Sequence, residues 1–130
     1  AVVTPVYRLT PQTIHNPAVV KTLLAHDGRA LYFSRSAIPH VRDVNPELWH
    51  EHTDYWGHVG MYGFRGDVLA MWDQLPASPL EDVERLEQLR LIEAGLTIAT
   101  FQVEGTSLSI DTSEQLEQAR NLLRGEGPSR

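Results

Sequence analysis

The residues from Ser78 to Arg90 form the most constrained stretch of this sequence, because they carry several helix-start signals at once. Ser78 can cap the helix N-terminus, Pro79 suits the first helical position, and Glu81 stands where a capping box places a carboxylate. The spacing predicts one helix that continues to Gly95, a residue type typical of helix C-caps. Four apolar residues share one face of this helix, which should pack on the core: Leu80, Val83, Leu86 and Leu91.

Two ionisable residues, Glu87 and Arg90, interrupt that apolar face. At about 100° per residue, Glu87 falls between Leu80 and Val83, where an ionised carboxylate is costly unless it is paired or bound. Two interpretations follow: an internal Glu87–Arg90 ion pair, or a carboxylate that points into a ligand pocket. The pattern alone does not choose between them. The predicted solvent side of the helix carries the remaining charges, which are Glu81, Asp82, Glu84 and Arg85.

The bulk properties fit a single globular domain over residues 1–130, with 42% hydrophobic and 22% charged residues. A formal net charge of −6 without a Lys/Arg cluster argues against nucleic-acid binding. The lack of Cys suits a cytoplasmic protein, and no apolar run is long enough to span a membrane. Because the chain opens on Ala1 in what reads as a strand, we expect a trimmed start or the downstream part of a longer protein.

Strand-like stretches alternate with helical ones along the chain. Asp27-Gly28 between two β-rich runs predicts a hairpin, and Pro5 favours an edge position for the first strand. Further helices are predicted over 65–74 and from Asp111 or Thr112 to Leu122 or Leu123. This mixture indicates an α/β or α+β fold whose sheet contains antiparallel pairs. The predicted strands are 1–7, 19–24, 30–34, 57–64, 96–103 and 107–110.

Several polar residues stand where a ligand site is expected. Alternation along 57–64 puts His58, Gly60 and Tyr62 on one face, and the glycines suggest close approach to the backbone. Arg35 ends a predicted strand and Arg42 follows it; both suit an acidic substrate, or else surface ion pairs. Asp111 precedes the last helix, where it serves either as a ligand or metal group or as a simple N-cap.

Other chemistries find less support in the sequence. The run His50-Glu51-His52 with His58 nearby invites a zinc site, but the spacing is not that of a metalloprotease helix, and a solvated polar loop is favoured. No glycine-rich phosphate loop and no nucleophile elbow are present. The irregular, polar segment 35–55 is expected to move when ligand binds.

Four motifs that occur in order together resemble the C-terminal half of 3-deoxy-manno-octulosonate cytidylyltransferases, the CMP-Kdo synthetases. They are Ala30 to Arg35 with Ile38-Pro39 and Arg42-Asp43, His58 to Arg65, Ser78 to Glu81 with Leu86 to Arg90, and Asp111-Thr112. The resemblance covers almost the whole chain.

The resemblance implies an α/β nucleotidyltransferase-like (nucleotide-diphospho-sugar transferase) fold with a mixed sheet, of which this chain is the C-terminal portion. It implies a cytoplasmic homodimer that couples CTP to the acid sugar Kdo, giving CMP-Kdo and pyrophosphate for lipopolysaccharide or capsule synthesis. It implies Mg²⁺ as cofactor, held by Asp111, the one catalytic residue assigned in this chain. The Kdo-binding residues that it implies are Arg35, Arg42, His58, Tyr62, Glu87 and Gln88.

The resemblance also implies that the nucleotide-binding half of the enzyme is missing from these residues. We therefore expect the 130-residue chain to be inactive by itself. The alternatives are a non-catalytic sugar-acid-binding or dimerisation module, a cytidylyltransferase for a related acid sugar, and a small His-rich metal hydrolase.

Overall fold

The computed structural model describes residues 2–104, and Val2–Arg8 (β1) is an interior strand of their mixed sheet. The other strands are Lys21–Leu24 (β2), Ala30–Ser34 (β3), Trp56–His58 (β4), Gly63–Phe64 (β5) and Ile98–Gln102 (β6). On one side, β1 pairs antiparallel with β4 and β5; on the other, it pairs parallel with β6. The antiparallel neighbours β2 and β3 lie beyond β4. The predicted mixture of strand directions is therefore confirmed.

The prediction that Pro5 marks an edge strand is wrong, because β1 has partners on both sides. The carbonyl of Pro5 accepts from Val59 N at 3.2 Å, and the nitrogen and carbonyl of one strand residue point to the same side. The proline nitrogen therefore faces the gap between β4 and β5, where the partner strand is interrupted. A missing N–H there costs no ladder hydrogen bond, so proline is tolerated in an interior strand.

The hairpin predicted around Asp27-Gly28 is confirmed by the antiparallel pairing of β2 and β3. Gly28 has a φ of 86°, which favours glycine, and Arg29 N donates to Asp27 Oδ1 at 3.0 Å. The turn also reaches the far edge of the sheet, since Thr100 Oγ1 in β6 donates to Gly28 O at 2.6 Å. This contact holds the hairpin against β6.

The helix predicted over 65–74 is present as Gly66–Met71 (α1), followed by a 3-10 turn over Trp72–Gln74. The single helix predicted from Ser78 to Gly95 is wrong. It is divided into Pro79–Glu84 (α2) and Leu89–Glu93 (α3), because Arg85 adopts a left-handed φ of 59° and ends α2.

Both ends of the divided segment agree with the sequence. Glu81 N donates to Ser78 Oγ at 3.1 Å, and Gly95 has a φ of 81° after α3. The apolar face, by contrast, is only partly confirmed. Leu86 and Leu91 are buried, whereas Leu80 is 37% exposed and Val83 is 81% exposed. The break at Arg85 changes which face each half turns towards the core.

Within residues 2–104, the buried apolar side chains form two clusters. The larger lies between the sheet and the helices and contains Val2, Ala30, Phe33, Val68, Leu86, Leu89, Leu91 and Ile98. The smaller lies under the irregular segment and contains Tyr7, Leu9, Ile14, Trp49 and Tyr55.

The irregular segment 35–55 is fixed by hydrogen bonds at several points. It contains a 3-10 helix over Pro46–Glu51, which is capped by Asn45. Tyr55 OH donates to Pro39 O at 2.6 Å, and Trp49 Nε1 donates to Val44 O at 3.0 Å. Its movement on ligand binding stays a prediction.

The strand predicted over 107–110, the last helix and Asp111 all lie outside the described residues. Within residues 2–104, none of the helices has both the length and the apolar character that crossing a membrane requires.

Replacing Gly57 by Ala is expected to lower the free energy of unfolding by about 1–3 kcal/mol. A Cβ at Gly57 would stand 2.5 Å from Tyr7 Cζ and 2.7 Å from Leu9 Cδ2, so the smaller core cluster would have to shift. Chemical denaturation followed by circular dichroism measures the change. Gly60→Ala is the matched control, because a Cβ there meets nothing within 4 Å. Equal losses for the two variants would contradict this packing.

Candidate functional site

A cavity of about 240 Å³ opens between β5, α1 and α3. Aromatic rings form much of its wall: Phe64 lies 5.7 Å from Tyr62 and 6.0 Å from Trp72, measured between ring centroids. The residues that line it are Tyr62, Phe64, Leu69, Trp72, Glu87, Gln88 and Leu91. Three of the predicted sugar-binding residues therefore meet at one cavity, although the sequence places them on two separate segments.

The interpretation of Glu87 as half of an internal pair with Arg90 is wrong. Arg90 pairs instead with Glu81, with two bonds of 2.8 Å between the guanidinium and the carboxylate. Its guanidinium also lies 5.9 Å from the ring centroid of Trp72. The break at Arg85 brings α3 back against α2, so a residue of the predicted solvent side becomes the partner. The carboxylate of Glu87 is left exposed at the wall of the cavity.

Tyr62 supplies the hydroxyl of this cavity. Burial raises the pKa of Tyr62, and the negative charge of Glu87 raises it further. The phenol therefore stays protonated at neutral pH and can donate a hydrogen bond. Glu87 and Tyr62 together offer an acceptor and a donor on walls that are otherwise mainly apolar.

His58 lies behind Tyr62 in the core, with 5.4 Å between the two ring centroids and only 8% of the residue exposed. Burial lowers the pKa of His58 to about 4, so the ring is neutral at pH 7. Its Nε2 lies 2.8 Å from Thr4 Oγ1, and its Nδ1 lies 3.5 Å from Gln88 Nε2. The continuous strand predicted over 57–64 is wrong, since it is interrupted between β4 and β5. The rings of His58 and Tyr62 are nevertheless adjacent, and His58 reaches the cavity only through Gln88.

Arg35 does not line this cavity and instead ties the end of β3 to the end of α2. Its Nε donates to Glu84 O at 2.9 Å, and its two terminal nitrogens donate to Pro17 O at 3.2 Å and to Arg85 O at 3.4 Å. The sequence-based alternative, a surface ion pair, does not describe these backbone contacts. It does describe Arg42, whose highly exposed side chain stands 3.5 Å from Asp43.

Sequence reasoning missed the role of Glu84, which it placed in solvent. Glu84 is half-buried, and its carboxylate accepts from Arg35 N at 3.1 Å and from Tyr32 OH at 3.3 Å. Burial acts to raise the pKa of Glu84, but hydrogen bonds from Ser34, Arg35 and Tyr32 and the charge of Arg35 hold it below its usual value. Because Arg85 ends α2, the last residue of that helix turns towards β3.

Lys21 was also missed, although a lysine inside an apolar strand run is a visible signal. It is fully buried, and its Nζ donates to Asn16 O at 2.7 Å and to Val19 O at 2.6 Å. Burial, with a further contribution from the nearby charge of Arg35, lowers the pKa of Lys21 to about 8, against an opposing effect of Glu84. A second polar cluster, separate from the cavity, thus joins β2, β3 and α2.

Comparison with known proteins identifies the family. A family model described as cytidylyltransferase matches residues 2–98. This chain belongs to the cytidylyltransferase family. Among curated members, it is 43% identical over 116 residues to 3-deoxy-manno-octulosonate cytidylyltransferase of Porphyromonas gingivalis, covering 89% of this chain and 46% of that protein. The corresponding protein of Chlorobaculum tepidum is 45% identical over 113 residues, covering 87% and 44%.

A solved structure supports the same family. It is CMP:2-keto-3-deoxy-manno-octonic acid synthetase complexed with CTP, to which this chain is 40% identical with a TM-score of 0.81, covering 97% of this chain and 50% of that one. The chain therefore spans about half the length of the cytidylyltransferases that it matches. The predicted family and mixed α/β fold are confirmed, while the assignment to the C-terminal half stays a prediction.

The histidines of this chain do not gather around a metal in its described part. His50 lies in the 3-10 helix and His52 caps its end, and both are exposed, whereas His58 is buried in the core. Residues 2–104 contain no group of three His, Cys, Asp or Glu placed to hold a metal ion. The zinc hydrolase alternative has no site among these residues.

Proposed function

We propose that this chain is the C-terminal, sugar-binding half of an enzyme that transfers CMP from CTP to Kdo, giving CMP-Kdo and pyrophosphate for lipopolysaccharide or capsule synthesis. The observation that carries the proposal is the meeting of Tyr62, Glu87 and Gln88 at one cavity in a chain of the cytidylyltransferase family. The names of the similar proteins supply the sugar and the nucleotide.

The chemistry of the cavity suits the hydroxyl-bearing part of an acid sugar. The carboxylate of Glu87 accepts hydrogen bonds from hydroxyls, and the protonated Tyr62 donates one. The rings of Phe64 and Trp72 offer apolar surface to the carbons of the sugar. His58 supports this wall from behind, through its contact with Gln88.

The sugar carboxylate needs a cation, and Arg35 and Arg42 are proposed to provide it. The guanidinium of Arg35 makes three hydrogen bonds, and two of them, to Pro17 O and Arg85 O, are long at 3.2 and 3.4 Å. Exchanging these two bonds for a bidentate carboxylate would leave the 2.9 Å bond from Nε to Glu84 O in place. Arg42 is exposed and can join from the irregular segment.

Mg²⁺ and CTP belong to the proposal through the resemblance alone. The described residues offer no metal site, and the proposed catalytic ligand, Asp111, lies outside them. We further propose one domain over residues 1–130, a homodimer and a cytoplasmic location. In the reaction that the resemblance implies, the anomeric hydroxyl of Kdo attacks the α-phosphate of CTP, which requires no protein nucleophile.

The isolated chain is expected to bind Kdo but to release no pyrophosphate with CTP, Kdo and Mg²⁺. An assay of CMP-Kdo formation tests the activity, and isothermal titration calorimetry with Kdo tests the binding. Turnover by the 130-residue chain would contradict its assignment to one half of the enzyme. The coding sequence upstream of Ala1 is the companion observation, since the proposal expects a nucleotide-binding half there.

Replacing Glu87 by Gln is expected to weaken Kdo binding by about tenfold or more, because a charged acceptor of a sugar hydroxyl is lost while the side-chain size is kept. Stability should change little, since Glu87 is exposed. Calorimetry with Kdo and a thermal melt measure the two quantities. Asp82→Asn is the matched control, because it removes one exposed carboxylate from α2 without touching the cavity. Equal affinity for wild type and Glu87→Gln would remove Glu87 from the site.

A non-catalytic binding or dimerisation module is the second candidate, favoured by the coverage of only about half of each relative. Kdo binding without any nucleotide-binding half encoded upstream would support it. Light scattering of the isolated chain separates a dimerisation module from a monomeric one. A preference for a related acid sugar in the same calorimetric experiment would instead indicate a cytidylyltransferase with another substrate.

A further inference from the structure

Three buried polar side chains connect the interior strand β1 to the cavity. Thr4 in β1 is fully buried, His58 in β4 is 8% exposed, and Gln88 before α3 is 5% exposed. The contacts run from Thr4 Oγ1 to His58 Nε2 at 2.8 Å and from His58 Nδ1 to Gln88 Nε2 at 3.5 Å. Of the three, only Gln88 lines the cavity.

The position of one hydrogen atom is fixed at Thr4. Its hydroxyl has a single hydrogen, and the closest carbonyl is that of Met61 at 2.7 Å, whereas Val59 O, at 3.3 Å, already accepts from Met61 N at 2.7 Å. With that hydrogen directed to a carbonyl, Thr4 can only accept from His58. His58 Nε2 must therefore carry the ring proton.

The proton on Nε2 leaves Nδ1 of the neutral ring as an acceptor. Gln88 then has to turn its NH₂ group towards His58, and its Oε1 points away from the ring. Among the described residues, every side-chain oxygen or nitrogen that is closed to solvent has a hydrogen-bond partner. Gln88 Oε1 has no hydrogen-bond partner among residues 2–104, so it is open to solvent. Since Gln88 is exposed only slightly and lines the cavity, this oxygen opens onto it.

We infer that Thr4 is a positioning residue that fixes the tautomer of His58 and thereby presents the amide oxygen of Gln88 to the cavity. With the opposite tautomer, Nδ1–H would attract the oxygen of Gln88, and the NH₂ group would face the ligand. The cavity would then offer a donor where it now offers an acceptor beside Glu87. The hydrogen-bond chain thus selects for ligand hydroxyls that donate, and the identity of the ligand as Kdo rests on the proposed function.

Nitrogen-15 NMR of the histidine rings of the full 130-residue chain at pH 7.5 tests the inference directly. His58 is assigned by the signals that disappear in His58→Gln. The wild type should show a proton on Nε2 and none on Nδ1. Thr4→Val, which keeps the shape but removes the hydroxyl, should shift His58 towards the Nδ1–H tautomer, and Thr4→Ser should restore the wild-type pattern.

The matched control is Thr22→Val, because Thr22 is also buried but makes no hydrogen bond to His58. Its hydroxyl donates instead to Tyr32 O, in β3, at 2.9 Å. It should leave the tautomer unchanged. Calorimetry with Kdo is carried out on wild type, Thr4→Val, Thr4→Ser and Thr22→Val. Only Thr4→Val should bind more weakly, by about three- to tenfold, which corresponds to the loss of one hydrogen bond.

Three results would overturn the inference: a wild-type His58 protonated on Nδ1, an unchanged tautomer in Thr4→Val, or an equal change in Thr22→Val. If Thr4→Val does not fold, the wild-type and Thr4→Ser spectra still decide, because both must show Nε2–H. Wild-type protein that shows the expected tautomer but binds no Kdo would contradict the proposed function and leave the role of Thr4 intact.

Discussion

Replacing Leu91 by Ala is expected to lower the free energy of unfolding by about 2–5 kcal/mol. Leu91 is fully buried in α3, where it belongs to the larger core cluster and forms part of the floor of the cavity. The loss combines the transfer of the side chain from water with a new void that the sheet and helices cannot fill. Urea denaturation followed by circular dichroism measures it, and the melting temperature should fall in parallel.

The matched control for this variant is Val83→Ala, on the same predicted apolar face. Val83 is 81% exposed, so its truncation should change the free energy of unfolding by no more than about 0.5 kcal/mol. A continuous helix from Ser78 to Gly95 would instead place both residues against the core. Similar losses for the two variants would therefore contradict the break at Arg85.

Acidification between pH 6.5 and about 4 is expected to remove about 3 kcal/mol of stability through His58 alone. Burial lowers the pKa of His58 from 6.5 to about 4, so in this window the unfolded chain binds a proton that the folded chain does not. The contribution of neutral His58 to the free energy of unfolding is fully present above pH 6.5, and it decreases as the pH falls through this window. Below about pH 4 both states are protonated, and His58 contributes no further slope.

Urea denaturation at a series of pH values measures how the free energy of unfolding depends on pH. In His58→Gln, this slope should decrease by the amount that corresponds to the uptake of one proton on unfolding. Glutamine suits the control, since its amide can donate to Thr4 and accept from Gln88 as the neutral ring does. The pKa of Glu84 lies below its usual value, so its own loss of stabilisation comes at more acidic pH. An identical slope in His58→Gln would exclude His58 as the group that titrates.

The residue pattern predicted most elements of the described fold but not the break within the Ser78 segment. Ser78 and Gly95 were both placed correctly at its ends, because caps depend on local backbone groups. Arg85 carries no comparable signal, as arginine is an ordinary helix residue and its left-handed conformation is imposed by the surroundings. The wrong predictions for Val83, Glu84 and Arg90 all follow from the helix break at that residue.

Contacts between distant segments were beyond the same reasoning. The partners of Arg35 are backbone carbonyls of Pro17, Glu84 and Arg85, which every residue possesses and no sequence pattern marks. Thr4 is similar, since a threonine in a strand is ordinary until β1 places it beside His58. The assignment of Tyr62, Glu87 and Gln88 to one site came from the resemblance, and the structure brings these three residues together.

The sequence by itself determined the elements whose causes are local: the Asp27-Gly28 hairpin, the caps at Ser78 and Gly95, the strand character of β1 and β6, and membership of the cytidylyltransferase family. Only the tertiary structure decided that β1 is an interior strand despite Pro5, that Arg90 pairs with Glu81, and that Thr4 reaches the cavity through His58 and Gln88. The physical reason is that caps and turns depend on neighbours within a few residues, whereas hydrogen-bond partners and burial depend on which segments the folded sheet brings together.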